Sequence, residues 1–218
     1  MELTKEQIKK IDTRLKIKGI KYWDLRVEMV DHIVSDIEEN ATTNDFKIEL
    51  EKSLKKLGWQ ESLRKENQEG WKNVNTKYRR KYYKEIIRFF KSFKNTLSFV
   101  LLAFLYYFIS KQMNHYTFSK VSISLFLLLI IPFLLITTKQ LLKSYGRSVN
   151  LDYGTFYFSF PFLIVNLPLQ FIKESSENFQ KLFFLIFIPL FYVITYTGYK
   201  VYKTAIIKVE KMKKELAL

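Results

Sequence analysis

The chain has 218 residues, a formal net charge of +15 and no cysteine. The lack of cysteine excludes disulfide scaffolds, thiolate nucleophiles and Cys-based zinc sites. Charge is unevenly spread: residues before Thr96 carry 23 Lys/Arg and 16 Asp/Glu, whereas the remainder carries 13 and 5, mostly in short clusters. The tryptophans Trp23, Trp59 and Trp71 lie in the polar part, and Pro132, Pro161, Pro168 and Pro189 lie in the apolar part.

Met1 to Lys10 lacks the apolar core of a cleavable signal, so membrane insertion falls to internal segments. Thr4 followed by Gln7 has the spacing of a capping box. Ile8, Ile11 and Leu15 then mark one face of a first helix, which Gly19 ends. A second helix runs from about Tyr22 to Glu39. Leu25, Met29, Val30, Ile33, Val34 and Ile37 form its apolar face. Asp24, Glu28, Asp31, Asp36, Glu38 and Glu39 form an acidic face, with Arg26 the exception. The first helix is basic, so the two are expected to pack antiparallel with complementary charge, each exposed pair adding under about 1 kcal/mol. A third helix starts near Asp45, carries Phe46, Leu50, Leu54 and Leu57, and stops at Gly58. A further segment from Glu61 leads on, with Gly70 as a break point. Residues 1–76 are read as a cytoplasmic helical domain.

Residues 77–94 read as a polybasic amphipathic helix beside the membrane. Lys77, Arg79, Arg80, Lys81, Lys84, Arg88, Lys91 and Lys94 face a single acid, Glu85. Tyr78, Tyr82, Tyr83, Ile86, Phe89, Phe90 and Phe93 are interleaved. Rings that enter the interface and cations that meet anionic headgroups suit a lipid surface. Nucleic acid would use the same charges, but adjacency to an apolar span favours lipid, and no nucleic-acid partner is expected. The bland alternative is an orientation signal alone.

Residues 95–199 hold four apolar stretches, about 95–113, 121–138, 153–172 and 182–199, with no charged residue in their cores. An 18-residue helix reaches roughly 27 Å, close to the hydrocarbon thickness of a bilayer. The third stretch is the irregular one: Phe156, Phe158, Phe160 and Phe162 alternate with a strand-like period of two. A lone strand leaves its backbone unsatisfied in lipid, so a helix kinked near Pro161 and Pro168 is expected, with a re-entrant segment as the alternative. The basic clusters before the first stretch, between the second and third, and in the tail at 200–218 put both termini in the cytoplasm. Tyr116, Tyr153, Tyr192, Tyr196 and Tyr199 are partly interfacial, while Tyr106 and Tyr107 are expected to pack between helices.

Chemistry-bearing constellations are sparse. Glu28, His32 and Asp36 share one side of the second helix and are weak metal candidates; a solvated acidic face is the bland reading, and no metal or other cofactor is expected. Asn166 and Gln170 bracket Pro168 and suit polar contacts between helices. His115 reads as surface in a short external loop. No intramembrane carboxylate or base is present to couple ions, and no Ser–Lys, His–Asp or HExxH constellation is present for hydrolysis.

The run from Tyr22 through Asp31-His32-Ile33, followed by Phe46 to Leu57-Gly58-Trp59-Gln60-Glu61-Ser62-Leu63, resembles the HAAS type of helical domain. The opening Leu3-Thr4-Lys5-Glu6-Gln7 also resembles multi-span membrane proteins of Bacteroidetes. The likeness covers roughly Thr4 to Leu63. It implies a bacterial membrane protein of regulatory or sensing type, often associated with PadR-type regulators, with no catalytic residues to carry over. The resulting expectation is an all-α chain, a cytoplasmic helical domain followed by a four-helix transmembrane bundle in the bacterial inner membrane. Its expected role is a non-enzymatic regulator or accessory subunit that docks a protein partner through the N-terminal domain, with self-association as a further option. A small transporter or channel-like protein is the alternative, and a lipid-modifying enzyme the weaker third.

Overall fold

The computed structural model describes residues 1–143 and 145–217, with backbone alone for Leu141, Asn166, Leu167, Lys173 and Ala217. All regular structure among the described residues is helical. The chain divides into two compact units. The first comprises Met1–Thr76, Tyr145–Asn150 and Val209–Leu218, and the second Lys77–Ser144 and Leu151–Lys208.

The first unit begins with α1 (Lys5–Ile17). The Gln7 amide donates to Thr4 Oγ1 at 3.3 Å, and the Thr4 amide donates to Gln7 Oε1 at 2.8 Å, closing the capping box. Gly19, at φ 114°, turns the chain out of the helix, where a residue with a Cβ would be strained. α2 (Trp23–Asn40) packs on both α1 and α3 (Phe46–Lys56). Asp45 caps α3 by accepting from the Lys47 amide at 2.8 Å. The three helices enclose an aliphatic core built around Ile11, Leu15, Ile33, Ile37 and Leu54.

Charge across this unit differs from the expected basic-on-acidic pairing. Asp12 of α1 pairs with Arg26 of α2 at 2.7 Å, each helix there contributing its minority charge. Arg14 and Asp36 pair instead with α3, through Glu51 and Lys56, both at 2.5 Å. Alignment of α1 and α2 is set by which apolar residues interlock, and the charges at the edges pair with whatever that register brings near.

α4 (Arg64–Lys91) contributes to both units and runs unbroken through Gly70, correcting the break expected there. The glycine serves packing: a Cβ at this position would lie 2.8 Å from both Leu25 methyl groups. A helix tolerates such a glycine at about 1 kcal/mol relative to alanine.

The second unit takes in α5 (Phe93–Gln112), α6 (His115–Leu142), most of α7 (Val149–Phe171) and most of α8 (Glu177–Ala217). A single 3-10 turn, Ile172–Glu174, follows α7. Among the described residues three helices are long and apolar enough to cross a membrane: Phe93–Gln112, His115–Gln140 and Glu177–Leu216. α7 is helical throughout with Pro161 and Pro168 inside it. Its alternating phenylalanines become two stripes at i, i+4. Phe158 and Phe162 both meet Phe133 of α6 at 5.0 and 4.8 Å, while Phe156 packs on Phe160 at 5.7 Å. The segment 200–217 is no loose tail but the continuation of α8, a helix of 41 residues.

The core of the second unit is aromatic, with Tyr106, Phe118, Phe126, Phe184 and Phe191 buried together. α7 and α8 come close at glycines. A Cβ on Gly154 would sit 2.5 Å from Ala205 Cβ, and one on Gly198 would sit 2.6 Å from the Tyr157 carbonyl oxygen. Tyr106 packs inside as expected and is 2.6 Å from Ser122 Oγ. Tyr107 does not: it is exposed, with the Lys111 ammonium 5.4 Å from its ring centre. Successive helical residues point about 100° apart, so neighbours rarely share a buried face. Tyr153, expected near an interface, is buried. His115 is not in a loop but opens α6, half-buried behind the Asn114 cap.

Candidate functional site

Two places gather charge in a way that packing alone does not require. The first is the second half of α4. Tyr78, Tyr82, Glu85 and Phe89 recur at i, i+4, i+7 and i+11 and are all buried. Tyr82 donates to the Ile194 carbonyl at 3.1 Å, and Phe89 meets Tyr192 and Tyr196 at 6.5 and 5.7 Å. This inward stripe fixes the rotation of the helix and leaves the rest facing outward. Lys77, Arg79, Arg80, Lys84, Arg88 and Lys91 are exposed, as is Lys94 just inside α5. Lys77, Lys84, Arg88 and Lys91 line up at i, i+7, i+11 and i+14 as one basic stripe.

Beside that stripe runs an apolar one, Tyr83, Ile87 and Phe90 at i, i+4 and i+7, all exposed. Ile87 is its middle member; the sequence alone does not set the helix rotation finely enough to choose between neighbours. The chain breaks at Ser92, whose extended backbone separates α4 from α5. The Thr96 hydroxyl donates to the Phe90 carbonyl at 2.8 Å and satisfies a helix end there. A basic stripe next to an apolar stripe, with a corner leading into an apolar helix, can rest its rings in a hydrocarbon boundary and its cations among phosphates.

Glu85 is the buried member of this helix. It accepts from Arg88 and lies 3.9 Å from the Lys200 ammonium of α8. Lys81 is half-buried one turn earlier. Burial pushes its ammonium below the ordinary lysine range, with Glu85 working in the opposite direction. Arg88 and Lys200 therefore pair with one carboxylate, and Lys81 lies within its electrostatic reach.

The second place is in the first unit and was misassigned by sequence. Asp24 belongs to no solvated acidic face: it is 0% exposed. Its carboxylate accepts from Ser148 Oγ at 2.7 Å, the Val149 amide at 3.1 Å, the Asn150 amide at 3.0 Å and Asn150 Nδ2 at 2.7 Å. These are the donors at the start of α7, so Asp24 caps a helix 125 residues away. The favourable end of the helix dipole and four hydrogen bonds offset the cost of burying the charge. The Trp23 amide donates to the Arg147 carbonyl at 3.1 Å. Tyr145 donates to Glu210 Oε1 at 2.6 Å, and the Lys213 ammonium lies 5.3 Å from the Tyr145 ring and 5.8 Å from the Trp23 ring. A signal for half of this was readable: Ser148 before an apolar run is an N-cap pattern. The acceptor was not, because nothing in a single sequence links residues 24 and 148.

The remaining candidates do not assemble. Glu28 and His32 are exposed, and Asp36 is engaged by Lys56 at 2.5 Å and Asn40 at 3.1 Å. The Lys56 hydrogen bond holds the Asp36 carboxyl below its ordinary value. Among the described residues no group of three or more His, Asp or Glu is placed to hold a metal ion. Gln170 is exposed, and the Asn166 side chain lies outside the described residues. No family model matches the chain, and no curated protein or solved structure is similar enough to it to be compared.

Proposed function

We propose that the chain is a multi-pass protein of the bacterial inner membrane, a non-enzymatic regulator or accessory subunit that docks a protein partner through its helical N-terminal part. The observation that carries the membrane reading is where the apolar side chains point. Only 11% of the apolar window of α5, and 11% of that of α6, is buried. Phe104, Leu105, Leu128 and Leu135 are among those turned outward. Water does not tolerate apolar surface on that scale, and a bilayer supplies the missing partner. α7 makes the fourth crossing, and the basic stripe of α4 rests on the anionic cytoplasmic leaflet with both termini on that side.

The docking role is supported by the resemblance of Thr4 to Leu63 to HAAS-type domains and by the absence from the sequence of a catalytic constellation. The partner surface is the exposed polar side of α2 around Glu28, His32 and Glu39.

The lack of cysteine makes topology directly testable. Single cysteines at Glu39 and at Ser176 are labelled in intact cells with a membrane-impermeant maleimide. Labelling at Ser176 and protection at Glu39 is expected; the reverse pattern overturns the orientation. A photocrosslinker at Glu28 or His32 then captures the partner. A protein that crosslinks to nothing in native membranes overturns the accessory role.

A further inference from the structure

Two cavities line the α8 side of the second unit. One, of about 400 Å³, lies among Leu105 of α5, Leu125 and Leu129 of α6, and Ile188 and Tyr192 of α8. The other, of about 330 Å³, shares Leu129 and Tyr192 and continues past Phe133 and Thr195 to Tyr199. Leu129 and Tyr192 line both cavities, so the two adjoin there along one side of α8 and together form a groove interrupted at most by those two side chains. Its volumes are those of small-molecule sites, and its walls are hydrocarbon and aromatic rings. Along α8 it runs from Ile188 to Tyr199, which at helical rise is roughly 16 Å. That is about half of a hydrocarbon core of ~30 Å. A packed helix from a second copy would follow the whole span, whereas an acyl chain occupies one leaflet.

Toward the Tyr199 end the groove is lined by Thr195. Thr195 is 9% exposed, and its hydroxyl has no hydrogen-bond partner among the described residues. Buried hydroxyls without partners are uncommon and need an explanation. Five residues on, about 7.5 Å along the helix, stands Lys200. Its ammonium is 4.9 Å from the ring of Tyr196, which also lines the groove. Lys200 and Arg88 both pair with Glu85, and Lys81 feels the same carboxylate, so the group keeps an excess of positive charge. From the Lys200 end inward the order is cation cluster, lone hydroxyl donor, apolar groove. A glycerophospholipid has the matching order of phosphate, ester carbonyl and acyl chain.

We propose that this groove binds one anionic glycerophospholipid, with its phosphate at Lys81, Arg88 and Lys200, an ester carbonyl accepting from Thr195, and an acyl chain between Leu129 and Tyr192. The inference rests on the membrane reading above and deepens it from a general surface attraction to one lipid in one place.

The test uses the full chain, purified in mild detergent and stripped of lipid, then given phosphatidylglycerol or phosphatidylcholine and weighed by native mass spectrometry. One phosphatidylglycerol adduct is expected, at occupancy at least fivefold above that of phosphatidylcholine. Lys200→Gln should lower phosphatidylglycerol occupancy at least threefold and leave phosphatidylcholine unchanged. Leu129→Trp, which fills the shared point, should abolish both adducts, while Leu129→Ala keeps them. Persistence of the adduct in Leu129→Trp overturns the groove. So does conversion of a dimer to a monomer by that variant, since a second copy would then be the occupant. Should Leu129→Trp fail to fold, phosphatidylglycerol with a photoreactive acyl chain is crosslinked to the unaltered protein. Label confined to 125–133 and 188–199 is expected, and label spread evenly over α5 and α6 overturns the proposal. Alkaline carbonate extraction separates the two readings. Release of the protein from membranes sinks the membrane assignment itself, whereas a retained protein with evenly spread label sinks the groove alone.

Discussion

The interiors of the two units are built from different side chains. The first is aliphatic: Ile11, Leu15, Ile20, Ile33, Ile37 and Leu54 fill it, with Phe46 and Trp59 only at its margin. The second is aromatic, with Phe118, Phe126, Phe184 and Phe191 at its centre and large apolar residues also on its outside. In water, removing branched aliphatic surface from solvent is sufficient to hold helices together. Between helices in lipid that driving force is absent, because the surroundings are as apolar as the core. What remains is close packing: rings at 4.9 and 5.3 Å, for Phe126 on Phe191 and Phe162 on Phe191, and backbones drawn together at Gly154 and Gly198. The composition of each interior therefore reports the solvent it was built for.

The sharpest way to break this comparison is to cut equivalent holes. Ile33→Ala should cost roughly 2–5 kcal/mol, read by denaturant unfolding of the first unit. Phe191→Ala, measured in nanodiscs, should cost less than half of that. Equal losses would mean that the second interior is also held by exclusion from water.

Next comes Asp24→Ala, which removes the acceptor shared by four donors at the buried start of α7. A loss on the order of 3 kcal/mol is expected. For a chain of this size that lowers Tm by roughly 6–12 °C. Asp24→Asn should recover part of it, because an amide oxygen still accepts.

The glycines give a paired test of intermediate size. Gly198→Ala drives a methyl group against a backbone oxygen, which cannot turn aside, and should cost about 1–3 kcal/mol. Gly70→Ala meets only the methyl ends of Leu25, and the gain in helix propensity of about 1 kcal/mol works against the clash, so the net change should be small. If the two variants behave alike, close approach of α7 and α8 is not what holds the second unit.

The smallest effect is one of pH. Hydrogen bonds from Lys52, Thr43 and Thr42 hold the Glu49 carboxyl down to about 2, below its ordinary 4.5. A depressed carboxylate contributes stability above its unfolded value and loses it as pH falls through the folded one. The first unit should therefore weaken between about pH 4.5 and 2, and Glu49→Gln should flatten that part of the profile.

How much of this was readable beforehand depended on distance along the chain. The Thr4 and Asp45 caps, the stops at Gly19 and Gly58 and the apolar runs all follow from residues a few positions apart, and the helices start and stop accordingly. Misreadings concern rotation or reach. Tyr107 is expected on the packed face but lies on the neighbouring one, an error of one position that an all-apolar helix does not betray. Gly70 looked like a stop because its partner, Leu25, is 45 positions away in sequence. Asp24 looked solvated because its four donors lie beyond two apolar helices. The lipid groove needed three helices at once, and only Lys200 and the basic stripe hinted at it.

That placement of Asp24 has a consequence for synthesis. Its carboxylate is made early, but the Ser148, Val149 and Asn150 donors follow 124 to 126 residues later. At typical bacterial rates the ribosome needs about 6–25 s to reach them. During that interval α5 and α6 are translated. The contact that closes the first unit therefore cannot form until α5 and α6 have left the ribosome, which makes it a late step in the order of synthesis.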